Sequence, residues 1–318
     1  MSDLVEFRHL KYIAAIAETA NFTRAAERLF LAQPSLSKQI KDLEDGIGIQ
    51  IFVRHHDGVR VTAAGQMVVS YAQEAVKTRN EIILAARAVH CGEIPALRIG
   101  FSCFVHQEIL RSLSDAYAGL FLDCRIQFAG GDPARILRLM GEKNLDAAVL
   151  PLPVSGSNWV IERIASVPLL VCMRADDPLA QNTEIQPSEL GTKLKIFRSP
   201  EAHPEAHARL MEMLSEIGIE PEVSCLATTP ADIQWMVQSG SGLALMDQTI
   251  PLDPSLTTRP IARVNWTADT AFIHPLCAEH HPALPVLIRH FRKMNGIKPA
   301  KRLPRKRQVN ELQMKLLA

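Results

Sequence analysis

The segment from Gln33 to Lys41 carries side chains that donate hydrogen bonds to oxygen and nitrogen acceptors. Gln33 contributes an amide, Ser35 and Ser37 contribute hydroxyls, and Lys38 and Lys41 contribute ammonium groups. On double-stranded DNA, an amide can pair with the edge of adenine, and an ammonium group can reach guanine or a phosphate. The composition of this segment is therefore suited to a contact with nucleic acid.

A helix must hold these side chains on one side. Leu36, Ile40 and Leu43 recur at helical spacing and predict a buried face. With a turn of about 100° per residue, the opposite side consists of Pro34, Ser37, Lys38 and Lys41. Pro34 suits the first position of this helix, where its missing N–H group costs nothing. The N-terminal half of such a helix can enter the major groove.

Two further helices and a β-hairpin are predicted around this helix. The segment from Phe7 to Ala17 has one apolar face, and Thr23 is predicted to cap a second helix by accepting from the free amides of its first turn. Downstream, Asp57-Gly58 lies between two β-prone runs, which is a strong hairpin signal. Three short helices followed by a hairpin form a winged helix-turn-helix.

Other polar residues of the same segment extend the predicted contact with DNA. Asn21 and Thr23, at the start of the second helix, are placed for phosphate, and Arg54 and Arg60 flank the hairpin and can reach the groove or the backbone. Residues 1–65 hold eight Lys and Arg and eight Asp and Glu, so affinity must come from where the positive charges lie. The alternative is that these side chains are merely solvated.

The residues after the hairpin predict one long helix that ends near Cys91. Thr62 can cap it, and small or apolar residues then recur in a heptad pattern. The two rows of this seam are Ala64, Tyr71, Thr78 and Ala85, and Val68, Ala75, Ile82 and Val89. A narrow, persistent seam favours pairing with a second copy of the helix. The alternative is a surface helix that packs on its own domain.

Strands and helices alternate along the rest of the chain. The predicted strands are 96–103, 124–129, 145–150, 169–173, 194–197, 222–227, 243–246 and 270–277, with a last helix at 284–294. A β-α-β-α-β order predicts a parallel sheet covered by helices. Because two such sets follow one another, we expect two lobes with a cleft between them.

The first 65 residues resemble the N-terminal domain of the LysR-type transcriptional regulators. The matching segments are Phe22–Leu29, Gln33–Glu44, Gly48–Arg54 and Val61–Gly65. The resemblance continues more weakly over the whole chain. It implies an α/β protein with an N-terminal winged helix-turn-helix at 1–65, a linker and dimerisation helix at 66–92 and a two-lobed, periplasmic-binding-protein-like effector domain at 93–296. The implied lobes are 93–167 with 269–296, and 168–268.

The resemblance also implies partners. They are double-stranded DNA, a small-molecule effector that changes the outcome of DNA binding, and other copies of the chain in a homodimer or homotetramer. RNA polymerase is a further candidate partner. No cofactor and no enzymatic activity are expected.

Residues at the predicted strand ends are candidates for the effector site. Free backbone N–H groups at such turns favour an anion. In the family, the positions that match Ser102 or Cys103, Gly131, Ser199 and Asp247 line the pocket. The full set of candidates is Ser102, Cys103, Gly131, Asp132, Arg198, Ser199, Thr229 and Asp247. Many relatives have a hydroxyl where this chain has Gly131, and Asp132 adds a negative charge that Arg198 can offset. The alternative for each residue is an ordinary loop role.

Catalytic and metal sites are not supported by motifs. The chain has no G-x-S-x-G elbow, P-loop or H-E-x-x-H helix, so no catalytic residues are assigned. His203 with His207, and Cys277 with His280, have ligand-like spacing without four convergent ligands, so no metal is predicted. The remaining function class is a two-lobed small-molecule binding protein or enzyme without a DNA role.

Composition and charge favour a cytoplasmic globular protein. Lys and Arg number 35 and Asp and Glu 34, and the net charge of +1 does not itself indicate nucleic acid. No apolar run approaches the roughly 18 residues of a membrane helix, and the N-terminus lacks signal-peptide features. The six scattered cysteines, including Cys172 and Cys225, are predicted to be free thiols. The basic segment 297–318 is interpreted as solvated, with phosphate contact as the alternative.

Overall fold

The computed structural model describes residues 5–56, 58–122, 124–276 and 281–294. The chain divides into two compact units, Met1–Ile94 and Pro95–Ala318. Three predictions lie outside the described residues: the role of Asp57 in the hairpin turn, the Cys277 and His280 pair, and the basic segment 297–318. None of the helices in the described part of the chain is long and apolar enough to cross a membrane.

The N-terminal unit consists of four helices and a two-stranded hairpin. In chain order they are α1 (Phe7–Thr19), α2 (Phe22–Leu29), α3 (Gln33–Ile47), β1 (Phe52–His55), β2 (Gly58–Val61) and α4 (Ala63–His90). The strands β1 and β2 are antiparallel. This arrangement confirms the predicted winged helix-turn-helix.

The core of this unit forms where the apolar faces of the helices meet. Leu36, Ile40 and Leu43 of α3 are buried, as the helical spacing predicts. They pack in one cluster with Ile13 and Ile16 of α1. The opposite side of α3 therefore faces away from the core.

The start of α2 differs from the prediction. Asn21, not Thr23, is the capping residue: its Oδ1 accepts hydrogen bonds from the backbone N–H groups of Thr23 at 2.8 Å and Arg24 at 3.1 Å. Thr23 lies inside the first turn. In α3, Gln33 is the first helical residue, so Pro34 follows it instead of leading the helix.

The long helix α4 packs on its own domain along one part of its surface and exposes apolar side chains along another. Thr62 caps it by accepting from the Gly65 N–H at 2.8 Å, as predicted. The heptad residues Val68 and Ala75 are half-buried and pack against the core of their own unit, and Ala85 is buried, so these positions favour the alternative of packing within the domain. Tyr71, Ile82 and Val89 are exposed, together with Met67, Ile83 and Leu84.

The C-terminal unit alternates strands and helices. Its elements are β3 (Leu97–Phe101), α5 (Gln107–Leu120), β4 (Ile126–Gly130), α6 (Pro133–Gly141), β5 (Ala147–Pro151), β6 (Trp159–Arg174), α7 (Pro187–Leu190), β7 (Leu194–Arg198), α8 (Pro204–Glu216), β8 (Cys225–Ala227), α9 (Pro230–Gln238), β9 (Leu243–Asp247), β10 (Leu256–Arg259), β11 (Thr267–Pro275) and α10 (Leu284–Met294). A short 3₁₀ helix at Pro178–Gln181 follows β6.

The strands form a mixed sheet with the order β4-β3-β5-β11-β6-β9-β7-β8, and β10 pairs with β6. β3 is parallel to β4 and β5, and β7 is parallel to β8 and β9. β11 and β6 run antiparallel to their neighbours, which corrects the prediction of a purely parallel sheet. β6 connects two lobes. We call the part with β3–β5, α5, α6 and α10 the first lobe, and the part with β7–β10 and α7–α9 the second lobe.

A buried cluster of charged groups anchors α10 to the sheet of the first lobe. Glu162 of β6 accepts from Arg292 of α10, with Nε at 2.8 Å from Oε2 and Nη2 bonded to Oε1. Nε2 of His274, on β11, lies 3.3 Å from the same Oε1. The side chains of Glu162 and His274 are only 4% and 7% exposed, so the carboxylate depends on these partners instead of water.

Candidate functional site

The outer face of α3 presents its donors to solvent. Lys38, Lys41, Pro34 and Ser35 are exposed, while Gln33 and Ser37 are half-buried. Neither ammonium group forms an ion pair with any residue that the structure describes. Because the apolar face is buried on the other side, the orientation expected for a helix that enters a groove is present.

The start of α2 supplies a second set of polar groups. The Asn21 amide oxygen is occupied by the helix cap, which leaves its NH₂ group to donate. Thr23, in the first turn, is exposed and carries a hydroxyl that can donate. A phosphate at this helix start would meet donors and the positive end of the helix dipole.

The hairpin is fastened to α3 at two places. Arg54 of β1 donates to the Ser37 hydroxyl, and its guanidinium lies over the Phe22 ring, 5.0 Å from the centroid. Glu44 of α3 accepts from the N–H groups of Ile51 at 2.7 Å and Phe52 at 2.9 Å. Arg54 is therefore held beside the outer face of α3, whereas the sequence suggests only that it flanks the hairpin. Glu44 is a positioning residue that sequence reasoning missed.

Arg60 lies on the second strand of the hairpin and is exposed. Together with Lys38, Lys41 and Arg54, it gives the helix and hairpin four positive side chains. This placement of charge, in a segment without net charge, can attract a phosphate backbone.

The second group of predicted residues lies where the two lobes of the C-terminal unit meet. Arg198 ends β7 in the second lobe, and its guanidinium carbon lies 4.0 Å from the centre of the Phe104 ring, which belongs to the first lobe. Nearby, the Cys103 Sγ lies 3.7 Å from the Thr228 carbonyl oxygen across the same junction. The structure thus brings Cys103, Arg198 and the start of α9 together.

Arg198 is a half-buried cation that forms no ion pair with any residue that the structure describes. Among the described residues, no carboxylate forms an ion pair with it and no acceptor takes a hydrogen bond from its side chain. Burial lowers the pKa of its guanidinium, while the neighbouring Asp247 and Cys103 act in the opposite direction. Because Asp247 acts on this half-buried charge only from beyond ion-pair distance, the site favours the entry of an anion.

Ser102 and Cys103 have local roles. The buried Ser102 hydroxyl accepts from the Phe104 N–H at 3.3 Å, so it holds the loop after β3. Burial of the sulfur raises the pKa of the Cys103 thiol, although the residue exposes part of its surface, and the charge of Arg198 counters only part of that. Cys103 is therefore not an activated nucleophile.

Gly131 and Asp132 follow β4 and begin α6. The Asp132 carboxylate caps this helix by accepting from the Arg135 N–H at 2.7 Å, so its charge faces the positive end of the helix dipole. Asp132 therefore also has a structural role at the start of α6. At Gly131 an added Cβ would make only ordinary contacts of 3.5 Å or more, so the position has room for a side chain.

The three remaining candidates also lie at element ends in the second lobe. Asp247 is buried, and its Oδ1 accepts from the Thr249 backbone N–H at 2.9 Å and hydroxyl at 2.6 Å. Thr229 caps α9 reciprocally with Asp232. The Ser199 N–H donates to the Ala227 carbonyl at 2.9 Å. These bonds shape the loops around Arg198.

Polar bonds also join the two lobes beside this site. His203 Nε2 lies 2.8 Å from the Pro153 carbonyl, and the Ser155 hydroxyl donates to Glu205 Oε1 at 2.5 Å. Burial lowers the pKa of His203, and the positive charge of Arg198 adds to this, so a neutral ring donates its Nε2–H. A ligand that altered this junction would change how the lobes meet.

The two histidines with ligand-like spacing and the buried Cys172 thiol have structural surroundings. His207 Nδ1 lies 3.2 Å from the Arg198 carbonyl, and His203 Nε2 contacts the Pro153 carbonyl, so each of these two rings contacts a backbone oxygen. Within the described ranges, no group of three or more His, Cys, Asp or Glu side chains is arranged to hold a metal ion. Burial raises the pKa of the Cys172 thiol to about 12, which makes it inert near neutral pH.

Comparison with known families agrees with this geometry. Residues 7–66 match the family model described as "Bacterial regulatory helix-turn-helix protein, lysR family". Residues 92–295 match the model described as "LysR substrate binding domain". Together, the two matches cover both units and most of the chain.

Individual proteins show the same relation over nearly their full length. AlsR of Bacillus subtilis, an HTH-type transcriptional regulator, is 26% identical over 90% of this chain and 94% of its own. The structure of full-length BenM is 24% identical, with a TM-score of 0.54 over 93% of this chain and 100% of that chain. CbnR complexed with its target DNA is 19% identical, with a TM-score of 0.53 over 91% and 99%.

Proposed function

The chain belongs to the LysR family of bacterial transcriptional regulators, and we propose that the outer face of α3 is the surface with which it reads DNA. The two family matches confirm the predicted regulator with a helix-turn-helix domain and an effector-binding domain. They remove the alternative of a two-lobed binding protein or enzyme without a DNA role. The observation that carries our proposal is the solvent-facing pair Lys38 and Lys41, which have no described ion-pair partner, on a helix whose other face is buried.

The proposed surface combines base and phosphate contacts. Gln33, Pro34, Ser35, Ser37 and Lys38 face the bases, because they lie in the first half of α3. The residues assigned to phosphate and the flanking groove are Asn21, Thr23, Lys41, Arg54 and Arg60. CbnR, which has the same fold, is known in complex with its target DNA.

Lys38→Ala is expected to weaken operator binding about tenfold, which corresponds to the loss of one specific contact. The measurement is a gel shift with the intergenic DNA upstream of the protein's own gene, repeated at several salt concentrations. If Lys38 contacts a phosphate, the loss will be similar for all sequences and the salt slope will fall by about one. If it contacts guanine, discrimination between sequences will fall as well.

Lys11→Ala is the matched control, because Lys11 is an exposed lysine on α1 outside the proposed surface. It removes the same charge and is expected to leave binding nearly unchanged. Equal losses for the two variants would contradict the placement of α3 against DNA.

We further propose that the effector is a small anion, held by Arg198 at the junction of the lobes. The support is a half-buried guanidinium that forms no ion pair with a described residue and lies among residues at the ends of β3, β7 and β9. The proposed lining is Ser102, Cys103, Gly131, Asp132, Arg198, Ser199, Thr229 and Asp247. Carboxylates and phosphates match an arginine in charge and geometry.

Arg198→Gln is expected to lower the affinity for the effector at least tenfold and to leave operator affinity intact. Small carboxylates and phosphates are screened by thermal shift, since a ligand that binds only the folded form raises the melting temperature. Arg174→Gln is the control, because Arg174 is exposed at the end of β6 and, among the described residues, bonds to Asp176 and to the end of α9. A ligand response that survives in Arg198→Gln would contradict the assignment.

The proposed assembly is a homodimer or homotetramer that pairs through α4. Tyr71, Ile82 and Val89 of the predicted seam are exposed on this helix, and apolar side chains in a row favour burial against a second copy. Sedimentation that showed only monomers at micromolar concentration would contradict it. The proposed domain boundaries are the predicted ones: the DNA-binding domain at 1–65, the linker helix at 66–92, the effector domain at 93–296 and the basic segment at 297–318.

We propose that the protein acts in the cytoplasm, where bacterial chromosomal DNA lies, and that RNA polymerase is a further partner. Cell fractionation that found the protein outside the cytoplasm would contradict this placement.

A further inference from the structure

Phe104 belongs to the first lobe but packs on the second. It follows β3, and its backbone is held by Ser102, whose buried hydroxyl accepts from the Phe104 N–H at 3.3 Å. The ring contacts the apolar cluster of the second lobe, which includes Ile196, Ile233 and Met246. The ring therefore joins the core of one lobe from a loop of the other.

The same ring lies against the guanidinium of Arg198. The distance of 4.0 Å from the guanidinium carbon to the ring centre is that of a cation–π contact. Such a contact uses the face of the planar guanidinium and leaves its N–H groups, which lie in the plane, available. The ring therefore fixes the direction of these donors without occupying them.

We propose that Phe104 is a positioning residue, which orients Arg198 for the anionic effector and makes anion binding depend on the approach of the two lobes. This inference rests on the proposed anion site at Arg198. The ring and the guanidinium come from different lobes, so their contact exists only while the lobes are together. An anion that prefers the oriented guanidinium then stabilises the joined lobes, and the joined lobes raise the affinity for the anion by the same factor.

Two substitutions separate the aromatic face from the apolar bulk. Phe104→Leu keeps an apolar side chain against the second lobe but removes the ring, whereas Phe104→Tyr keeps the ring. The probe is sodium sulfate, titrated against sodium chloride at constant ionic strength. The readout is the melting temperature of the full chain. The sulfate-induced shift of the Arg198→Gln variant is subtracted from that of each other protein, which leaves the part due to sulfate bound at Arg198.

Phe104→Leu is expected to weaken the Arg198-dependent sulfate affinity about fivefold, the size of a cation–π contact. Phe104→Tyr is expected to restore it, which a purely structural role of the side chain would not require. Phe128→Leu is the matched control, because Phe128 is a partly exposed aromatic residue of the first lobe that contacts Phe101. It is expected to bind sulfate as the unaltered protein does.

Two outcomes overturn the inference in distinguishable ways. If Phe104→Leu binds sulfate normally while Arg198→Gln does not, the anion site stands and the role of Phe104 is refuted. If Arg198→Gln keeps the full sulfate response, the proposed anion site and the inference both fail. Should Phe104→Leu not fold, Phe104→Met makes the same distinction with a more adaptable apolar side chain.

Discussion

Replacement of Glu162 by glutamine is expected to lower the free energy of unfolding of the C-terminal unit by about 3 kcal/mol. The Glu162 side chain is 4% exposed and accepts hydrogen bonds from Arg292, while His274 lies beside it. Glutamine is nearly isosteric but carries no charge, so the half-buried guanidinium of Arg292 loses its counter-ion. Thermal unfolding should show a fall in melting temperature of roughly 6–12 °C for a unit of this size.

The stability contributed by Glu162 should depend on pH in a defined direction. Burial alone would raise the pKa of Glu162, but the hydrogen bonds from His274 and Arg292 hold it below its ordinary value. The carboxylate therefore stabilises the fold fully above the unfolded pKa of about 4.3, and this contribution is lost as the pH falls through the lower folded value. The stability difference between the unaltered protein and Glu162→Gln should shrink on acidification below about pH 4.

Asp176→Asn serves as the control for a charge lost at the surface. Asp176 pairs with Arg174 at 2.5 Å, but both side chains are largely exposed, and such pairs contribute little. We expect no resolvable change in melting temperature. If both variants lost stability equally, burial of the Glu162 cluster would not be what makes it important.

Local periodicity makes α3 the most predictable part of the molecule. Leu36, Ile40 and Leu43 mark the buried face, and the structure buries all three. The start of α2 is less certain from sequence, because Asn21 and Thr23 both carry cap-forming oxygens. Their order along the chain does not show which residue leaves the extended conformation first, and here Asn21 is the extended one.

Non-local contacts explain what sequence reasoning missed in the C-terminal unit. Strand β6 is predicted only at 169–173, where it is apolar, yet it begins at Trp159. Its first half carries Glu162 and Arg163 and has no clear apolar alternation. Glu162 is buried because Arg292, far downstream in the chain, neutralises it. The sequence around Glu162 does not show that Arg292 will be its partner.

The same limit applies to the junction of the lobes. Sequence reasoning named Arg198, because it follows a predicted strand, but not Phe104, whose partner lies in the other lobe. Turn residues such as Thr229 and Asp247 are correctly placed at strand and helix ends, whereas their capping bonds appear only in the structure. Positions of loops can thus be predicted from sequence, but the partners across a cleft cannot.

Alanine in place of Gly65 is expected to destabilise the N-terminal unit by about 3 kcal/mol, the cost of overpacking against backbone. A Cβ at this position would lie 2.8 Å from the Ile51 Cα and 2.9 Å from its carbonyl carbon. The Ile51 carbonyl also accepts the Thr62 N–H at 2.9 Å, so the new methyl group would push apart the hairpin and the start of α4. Operator affinity should fall as well, because β1 carries Arg54.

Gly48→Ala distinguishes this clash from a general cost of losing glycine. Gly48 has φ +68° and nothing within 4 Å of an added Cβ, so alanine there adds backbone strain of about 1 kcal/mol but no collision. The checks are the melting temperature of the unit and hydrogen exchange at the Thr62 amide, whose bond to Ile51 should open earlier in Gly65→Ala alone. If Gly65→Ala cost no more than Gly48→Ala, the close approach of the hairpin to α4 would be wrong, and with it the position of Arg54 beside α3.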